Sequence, residues 1–364
     1  MGGSEVIGAE LALGLQARGH ELTVVTERSG ELPESDSYRG IPVWRFPFHA
    51  SLEARNLADV AALHVRLRSL VQRFRPQLVH LHTLAYPAYY CERALVGLQV
   101  PLLVTRHEML QPMPQAGALA AQVLRRADWV ACCSVTVLDD IRGLVPELEP
   151  RSSVILNGIG LPERLPTPVP SDPPVLVCLG RLVDQKGFDL AITALARLRD
   201  RFPAARLVIA GDGPARDALV AQAQSDGVAD AVEFTGWVAP SRVYETIARG
   251  TAVLFPSRTG EGLPIVALQA AQMGRPVVAA RTGGLPEVVA EGETGLLFDP
   301  GDANGLAEAT AALLESPDLA RRLGEAARSR AIRLFSAEHY LDEYDRLYGR
   351  LAATRSAGSS TERS

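Results

Sequence analysis

The sequence predicts an α/β chain of two doubly wound domains, on three observations. Apolar runs of strand length alternate with amphipathic helical patterns from end to end, the pattern of parallel sheets covered on both faces. The 364 residues exceed the about 100–200 expected of one domain. The halves meet at "LPERLPTPVPSDPPV", where Pro162, Pro166, Pro168, Pro170, Pro173 and Pro174 forbid regular structure and stiffen the chain.

In chain order, "LTVVT", "LVHLH", "PLLVT", "WVACC" and "SVIL" read as strands of the first half. The runs "VLVCLG", "ARLVIAG", "AVEFTG", "AVLFP" and "PVVAA" read as strands of the second. Amphipathic stretches such as "FDLAITALARLRDRF" and "ARDALVAQAQSDG" lie between them. A first domain over 1–160, a linker over 161–173 and a second domain over 174–335 follow. A capped terminal helix over 336–355 and a disordered tail over 356–364 complete the chain. In such sheets ligands bind beyond the carboxyl ends of the strands, so the chemistry is expected in strand-to-helix loops.

Composition is that of a soluble globular protein, with 47% hydrophobic and 22% charged residues. A net charge of −5 argues against a nucleic-acid partner. No apolar run approaches the about 18 residues of a membrane span, and "MGGSEVIGAE" lacks the basic and apolar regions of a signal peptide. Cys91, Cys132, Cys133 and Cys178 form no C-x-x-C and read as buried, reduced thiols of a cytoplasmic protein.

Lys186 is the only lysine, in "GRLVDQKGFDL", and it comes after a strand that ends at Gly180 and is followed by Arg181. A guanidinium fork and a compact ammonium at a strand's carboxyl end suit a diphosphate, although two solvated charges are the commoner meaning of such a pair. In "FPSRTGEGLPIVALQAAQ", Pro264 suits the first turn of a helix whose free N–H groups and dipole attract an anion. Glu261, just before it, either caps that helix or accepts ligand hydroxyls. Gly283 and Gly284 in "RTGGLPEVV" permit close backbone approach or a tight turn. "AGDGPAR" offers Gly211 and Gly213, but Arg216 breaks the dinucleotide fingerprint, and the P-loop pattern is absent.

Along the second half, "GRLVDQKGFD", "LVIAGDGP", "VEFTGWV", "FPSRTGEGLPIVALQA", "GRPVVAARTGGLPEVV" and "GETGLLFDPGD" occur in order. The first half carries "GGSEVIGAELALGLQARGHELTVVT", "RPQLVHLHTL", "LLVTRHE", "ADWVACCS" and "VILNGIG". Together they resemble the retaining family-four glycosyltransferases over nearly the whole chain. The resemblance implies the GT-B fold, with the donor in a cleft between the domains and the terminal helix crossing back. It implies a hexosyltransferase-type enzyme that moves a sugar from a nucleotide diphosphate sugar to a hydroxyl acceptor (a glycan, a glycolipid or a small molecule). By the same resemblance Arg181 and Lys186 hold the donor diphosphate and Glu261 binds hydroxyls of the transferred sugar. Gly262 and Leu263 lie against the phosphates, His107 stands near the sugar, and Gly2 and Gly3 form a glycine loop near the reaction centre. Gly180, Gly211, Gly213 and Gly236 complete the donor surface. No cofactor or metal is expected, since no D-x-D pattern occurs and two basic residues can take a metal's role.

Three departures from the family pattern stand out. Gln269 occupies the position of a ribose-binding glutamate, about two helical turns after Glu261 if the segment is helical. "NGIG" replaces "NGID". Met1 abuts the glycine loop, so the first domain is expected to lack the strand that normally precedes it. A nucleotide-sugar epimerase of the same fold and a non-catalytic nucleotide-sugar-binding protein are the alternatives. His80 and His82 read as one core residue and one at a strand end rather than metal ligands. On "DVAALHVRLRSLVQRFRP", Val60, Leu63, Leu67, Leu70, Val71 and Phe74 read as a core stripe and Arg66, Arg68, Arg73 and Arg75 as solvated. Peripheral contact with the inner membrane face is the alternative use of that helix.

Overall fold

The computed structural model describes residues 2–110, 114–163 and 167–361, with 114–118 and 354–361 as helical backbone only. Met1, part of the expected linker (164–166) and the last three residues of the expected tail lie outside this range. The chain forms two compact units, Met1–Ile155 with Tyr340–Ser364, and Leu156–His339.

The first unit runs α1 (Gly3–Ala17), β1 (Val24–Glu27), β2 (Ser35–Tyr38), β3 (Ile41–Phe46), α2 (Phe48–Glu53) and α3 (Leu57–Phe74). It continues through β4 (Val79–Leu81), α4 (Tyr86–Ala94), β5 (Leu102–Arg106), α5 (Pro114–Arg126), β6 (Trp129–Cys132), α6 (Val135–Leu144) and β7 (Ser152–Val154). Its strands make two sheets, β1-β3-β2 and the parallel β4-β5-β6-β7. The half therefore departs from one continuous doubly wound sheet: among the described residues nothing pairs β1 with β4. β2 and β3 form a hairpin that the apolar pattern does not announce. Ser35–Tyr38 is exposed throughout, and the pairing is made by the turn at Arg39 and Gly40, whose φ of 48° and 88° suit a type I′ turn. Most of the segment "TLAYPAYY" is the start of α4.

Helix α3 buries Leu63, Leu67 and Leu70 against Phe46, Phe48 and Tyr90, with Val60 packed alongside. Of the four arginines read as solvated, Arg66, Arg73 and Arg75 are exposed as expected, while Arg68 is half-buried. Arg66 pairs with Glu34, and Arg68 donates to the carbonyls of Ala94 and Val96 at 3.1 and 2.7 Å.

The second unit runs β8 (Val175–Leu179), α7 (Phe188–Leu198), β9 (Arg206–Ala210), α8 (Arg216–Ser225), β10 (Val232–Gly236), α9 (Val243–Ala248), β11 (Ala252–Phe255) and α10 (Ile265–Gln272). Then follow β12 (Val277–Ala280), α11 (Leu285–Val288), β13 (Gly295–Phe298), α12 (Ala303–Glu315) and α13 (Pro317–Leu334). One six-stranded parallel sheet results, in the order β10-β9-β8-β11-β12-β13. Leu176, Cys178, Leu207, Ile209, Leu254 and Val278 bury against Ala191, Leu195, Leu306 and Leu313 of the helices above them. Strand order reverses between β8 and β11, and the carboxyl ends of those two strands flank the reversal.

The boundaries differ from the expected ones. Residues 156–160 belong to the second unit because Ile159 donates to Phe335 O and accepts from Ala337 N, both at 3.0 Å, while Gln272 Nε2 reaches Ile159 O at 3.2 Å. The terminal helix α14 runs from Ala337 to Thr361, through most of the stretch read as tail. No proline interrupts that stretch, and its one glycine, Gly358, costs a helix only about 1 kcal/mol. The four cysteines are buried and form no disulfide among the described residues, and burial pushes the thiols of Cys91 and Cys132 up to about 12.

Candidate active site

The second unit's site grows from the loops after β8 and β11, at the reversal of strand order where doubly wound sheets bind ligands. After β8, Gly180 donates to Ala210 O and Gly211 to Gly236 O, both at 2.9 Å, and Leu182 N reaches Asp212 O at 2.9 Å. Gly180, Gly211, Gly213 and Gly236 thus belong to interlocked loops of three neighbouring strands. Arg181 is exposed, and its guanidinium makes no ion pair or hydrogen bond among the described residues.

Lys186 closes a short 3-10 turn, Asp184–Lys186. Gly187 follows at φ 65°, and a Cβ there would stand 2.0 Å from Pro256 O, so only glycine lets the β8 loop lie against the β11 loop. The same two loops are laced by side chains. Arg258 forks onto both oxygens of Asp189 at 2.6 and 2.5 Å, its backbone N–H donates to Gln185 O, and Gln185 Nε2 donates to Thr259 O. The hydrogen bonds to Asp189 raise the Arg258 pKa above its ordinary value.

This lacing brings Lys186 Nζ to 2.5 Å from Glu261 Oε1. Ser257 Oγ donates to the same oxygen at 2.6 Å. Glu261 is 6% exposed, and its Oε2 makes no hydrogen bond among the described residues. The Glu261 backbone is fixed from the other side. Its carbonyl accepts from Gly284 N at 2.9 Å, and a Cβ on Gly283, at φ 54°, would fall 2.1 Å from it. The Gly283–Gly284 pair therefore supports the carboxylate, where the sequence suggested a ligand surface or a bare turn.

Gly262 and Leu263 are buried, and the Leu263 carbonyl accepts from Asn157 Nδ2 at 3.2 Å. Pro264 is the N-cap of α10, one residue earlier than expected, with φ −65° and ψ 121°. Glu261 thus lies outside the helix and Gln269 inside it, half-buried, so the continuous two-turn spacing read from the sequence does not apply.

In the first unit, Gly3 is the first residue of α1 and Gly2 its extended N-cap, whose N–H donates to Glu5 Oε2 at 2.8 Å. The glycine loop is therefore a helix start. His107 follows β5 and is buried; its Nε2 shares a hydrogen bond with His82 Nδ1 at 3.1 Å, the two rings stacked at 5.4 Å. His80 lies on β4 and His82 just past its end, on one face, with rings 4.0 Å apart. His80 bonds Tyr348 Oη and Thr105 Oγ1, both at 2.6 Å, and Thr105 bonds Tyr344 Oη at 2.8 Å. Burial, then the neighbouring His107, pushes His82 down to about 3, and burial holds His80 well below its ordinary range.

Sequence reasoning placed Arg181, Lys186 and Glu261 on loops that do converge. It missed Ser257, Asn157, Arg258, Asp189 and the imidazole partner of His107. Asn157 stands in "VILNGIG" and Ser257 in "FPSRTGEG", both noticed as motifs, but nothing in one dimension says what their side chains reach.

Comparison with known proteins gives the class. The family model for glycosyl transferases group 1 matches residues 163–330, and that for glycosyltransferase family 4 matches residues 1–163. The glycogen synthase of Mycobacterium tuberculosis is 32% identical over 355 residues, covering 88% of this chain and 84% of that protein. A GDP-mannose-dependent alpha-(1-6)-phosphatidylinositol monomannoside mannosyltransferase of Mycolicibacterium smegmatis is 41% identical over 167 residues, 44% of either chain. Among solved structures, sucrose-phosphate synthase of Thermosynechococcus elongatus superposes with a TM-score of 0.83 at 22% identity, over 97% of this chain and 94% of its own. Anabaena HepE, solved in complex with UDP-glucose, reaches 0.80 at 22% identity, over 98% and 96%. The fold is GT-B, and the chain belongs to the family-four glycosyltransferases. It is a glycosyltransferase that uses a nucleotide-sugar donor.

Proposed function

We propose that the chain transfers a sugar, with retention of anomeric configuration and without a metal ion, from a nucleotide diphosphate sugar to a hydroxyl acceptor. The observation that carries this reading is the meeting of Lys186 and Glu261 at the sheet's reversal point, with Arg181 at the same strand end. Departure of the nucleoside diphosphate places growing negative charge on its phosphates. Arg181, Lys186 and the N–H groups of Gly262 and Leu263 stabilise that charge, each preorganised donor contributing about 2.7–4 kcal/mol. Glu261 accepts hydroxyls of the sugar and orients it. Attack comes from the face the diphosphate leaves, and a donor phosphate oxygen takes the acceptor proton. Gln269 accepts ribose hydroxyls as a neutral group.

The names of the relatives and neighbours set the first donors to try, GDP-mannose and UDP-glucose. Nucleoside diphosphate release is measured over such a panel in chelator, and product configuration is read by NMR. Release is expected to persist in chelator and to fall about 10²–10³-fold in Lys186→Ala. Activity lost in chelator and restored by magnesium or manganese defeats the metal-free mechanism, and an inverted product defeats retention.

A further inference from the structure

We propose that the Lys186–Glu261 ion pair discriminates the intact donor from the bare nucleoside diphosphate, by withholding the ammonium until sugar hydroxyls relieve the carboxylate. The inference rests on the reading of these loops as the donor site. The two cations there are unequal. Arg181 is exposed and uncommitted, whereas Lys186 already lies 2.5 Å from Glu261 Oε1. Glu261 is buried, and among the described residues only the Ser257 hydroxyl, at 2.6 Å on the same oxygen, joins Lys186 in answering its charge.

A nucleoside diphosphate that draws Lys186 away must therefore leave a buried carboxylate with one neutral donor. Breaking a buried pair while keeping one charge in place is costly. A nucleotide sugar brings its own compensation. Its hydroxyls donate to Oε2, which has no partner among the described residues, and hydrogen bonds to a charged acceptor are the stronger kind. The exchange needs only side-chain rotation, because the Arg258–Asp189 fork and the Gln185–Thr259 bond hold the two loops together. The same logic runs backwards after transfer. Once the sugar has gone, Glu261 reclaims Lys186 and the nucleoside diphosphate is released.

Calorimetric titration with UDP, GDP, UDP-glucose and GDP-mannose tests this. Glu261→Gln keeps the shape and an acceptor for Ser257 but carries no charge to hold Lys186. The nucleoside diphosphate of the preferred pair should bind it about tenfold more tightly than the wild type, while the matching nucleotide sugar gains nothing. Ser257→Ala should act in the opposite sense, since Lys186 becomes the only described partner of Oε1 and bare diphosphate binds more weakly. Unchanged or weaker diphosphate binding by a folded Glu261→Gln chain overturns the proposal, as does tighter binding by Ser257→Ala. Lys186→Ala separates the two layers. If it leaves binding of the nucleotide sugar untouched, the donor-site reading falls together with the proposal. If it weakens binding of the nucleotide sugar while Glu261→Gln leaves diphosphate binding unchanged, only the coupling falls.

Discussion

Among the residues of the first unit, His82 joins site and stability most directly. Its imidazole is pushed down to about 3 by burial and by His107, against about 6.5 in an unfolded chain. The unfolded chain therefore binds a proton that the folded chain refuses between those two values. The stability this neutral imidazole contributes is complete above about pH 6.5 and is lost progressively as pH falls towards 3, by up to about 1.4 kcal/mol per pH unit. Denaturant unfolding of the full chain at pH 7, 6 and 5 should show that decline, and His82→Asn should flatten it by about one proton's worth. An unaltered slope in the variant would show that His82 protonates freely in the folded state. The residue scale is also where the sequence was least legible. Lys186 stood out because its type is used once, and Arg181 and Glu261 because of their places beside a strand end and a helix start. Ser257, Asn157 and His82 act through contacts 4, 106 and 25 residues away in sequence, on Glu261, Leu263 and His107 respectively, and no local pattern encodes such contacts.

Elements were legible wherever an apolar run or a helical period was long enough to bury a face by itself, as in β8, β9, β11 and α7. They were obscure where pairing or packing supplies the stability. Polar β2 and short, glycine-led β13 exist because β3 and β12 offer them a ladder. One contact between elements bears on the site at a distance. A Cβ on Gly324 of α13 would stand 2.0 Å from Gly274 O, in the turn that follows α10. Backbone cannot rotate aside as a flexible side chain can, so Gly324→Ala must push α13 off the α10 turn. A loss of about 1–3 kcal/mol, typical of overpacking, is expected in denaturant unfolding. Because α10 begins at the Leu263 loop, weaker donor binding should accompany it. A variant as stable as the parent would show that the helices separate without strain.

At the scale of the whole chain, the second unit begins and ends at one place, with Ile159 bonded to both Phe335 and Ala337. Topologically, residues 156–339 are a guest sequence whose two ends are already knotted to each other. The entropy of bringing distant ends together is met inside the guest, so excision removes no closure that its fold depends on. Expressed alone, residues 156–339 should fold cooperatively and, since they contain Arg181, Lys186, Glu261 and Leu263, should still bind a nucleoside diphosphate by calorimetry while transferring no sugar. A fragment that melts without a cooperative transition would mean that its stability is borrowed from its host. A folded fragment blind to UDP and GDP would mean that the first unit supplies part of the grip. If it folds and binds, the gene can be regarded as a host reading frame carrying a portable nucleotide-binding cassette, one that could be grafted or circularly permuted at the Ile159–Ser336 seam.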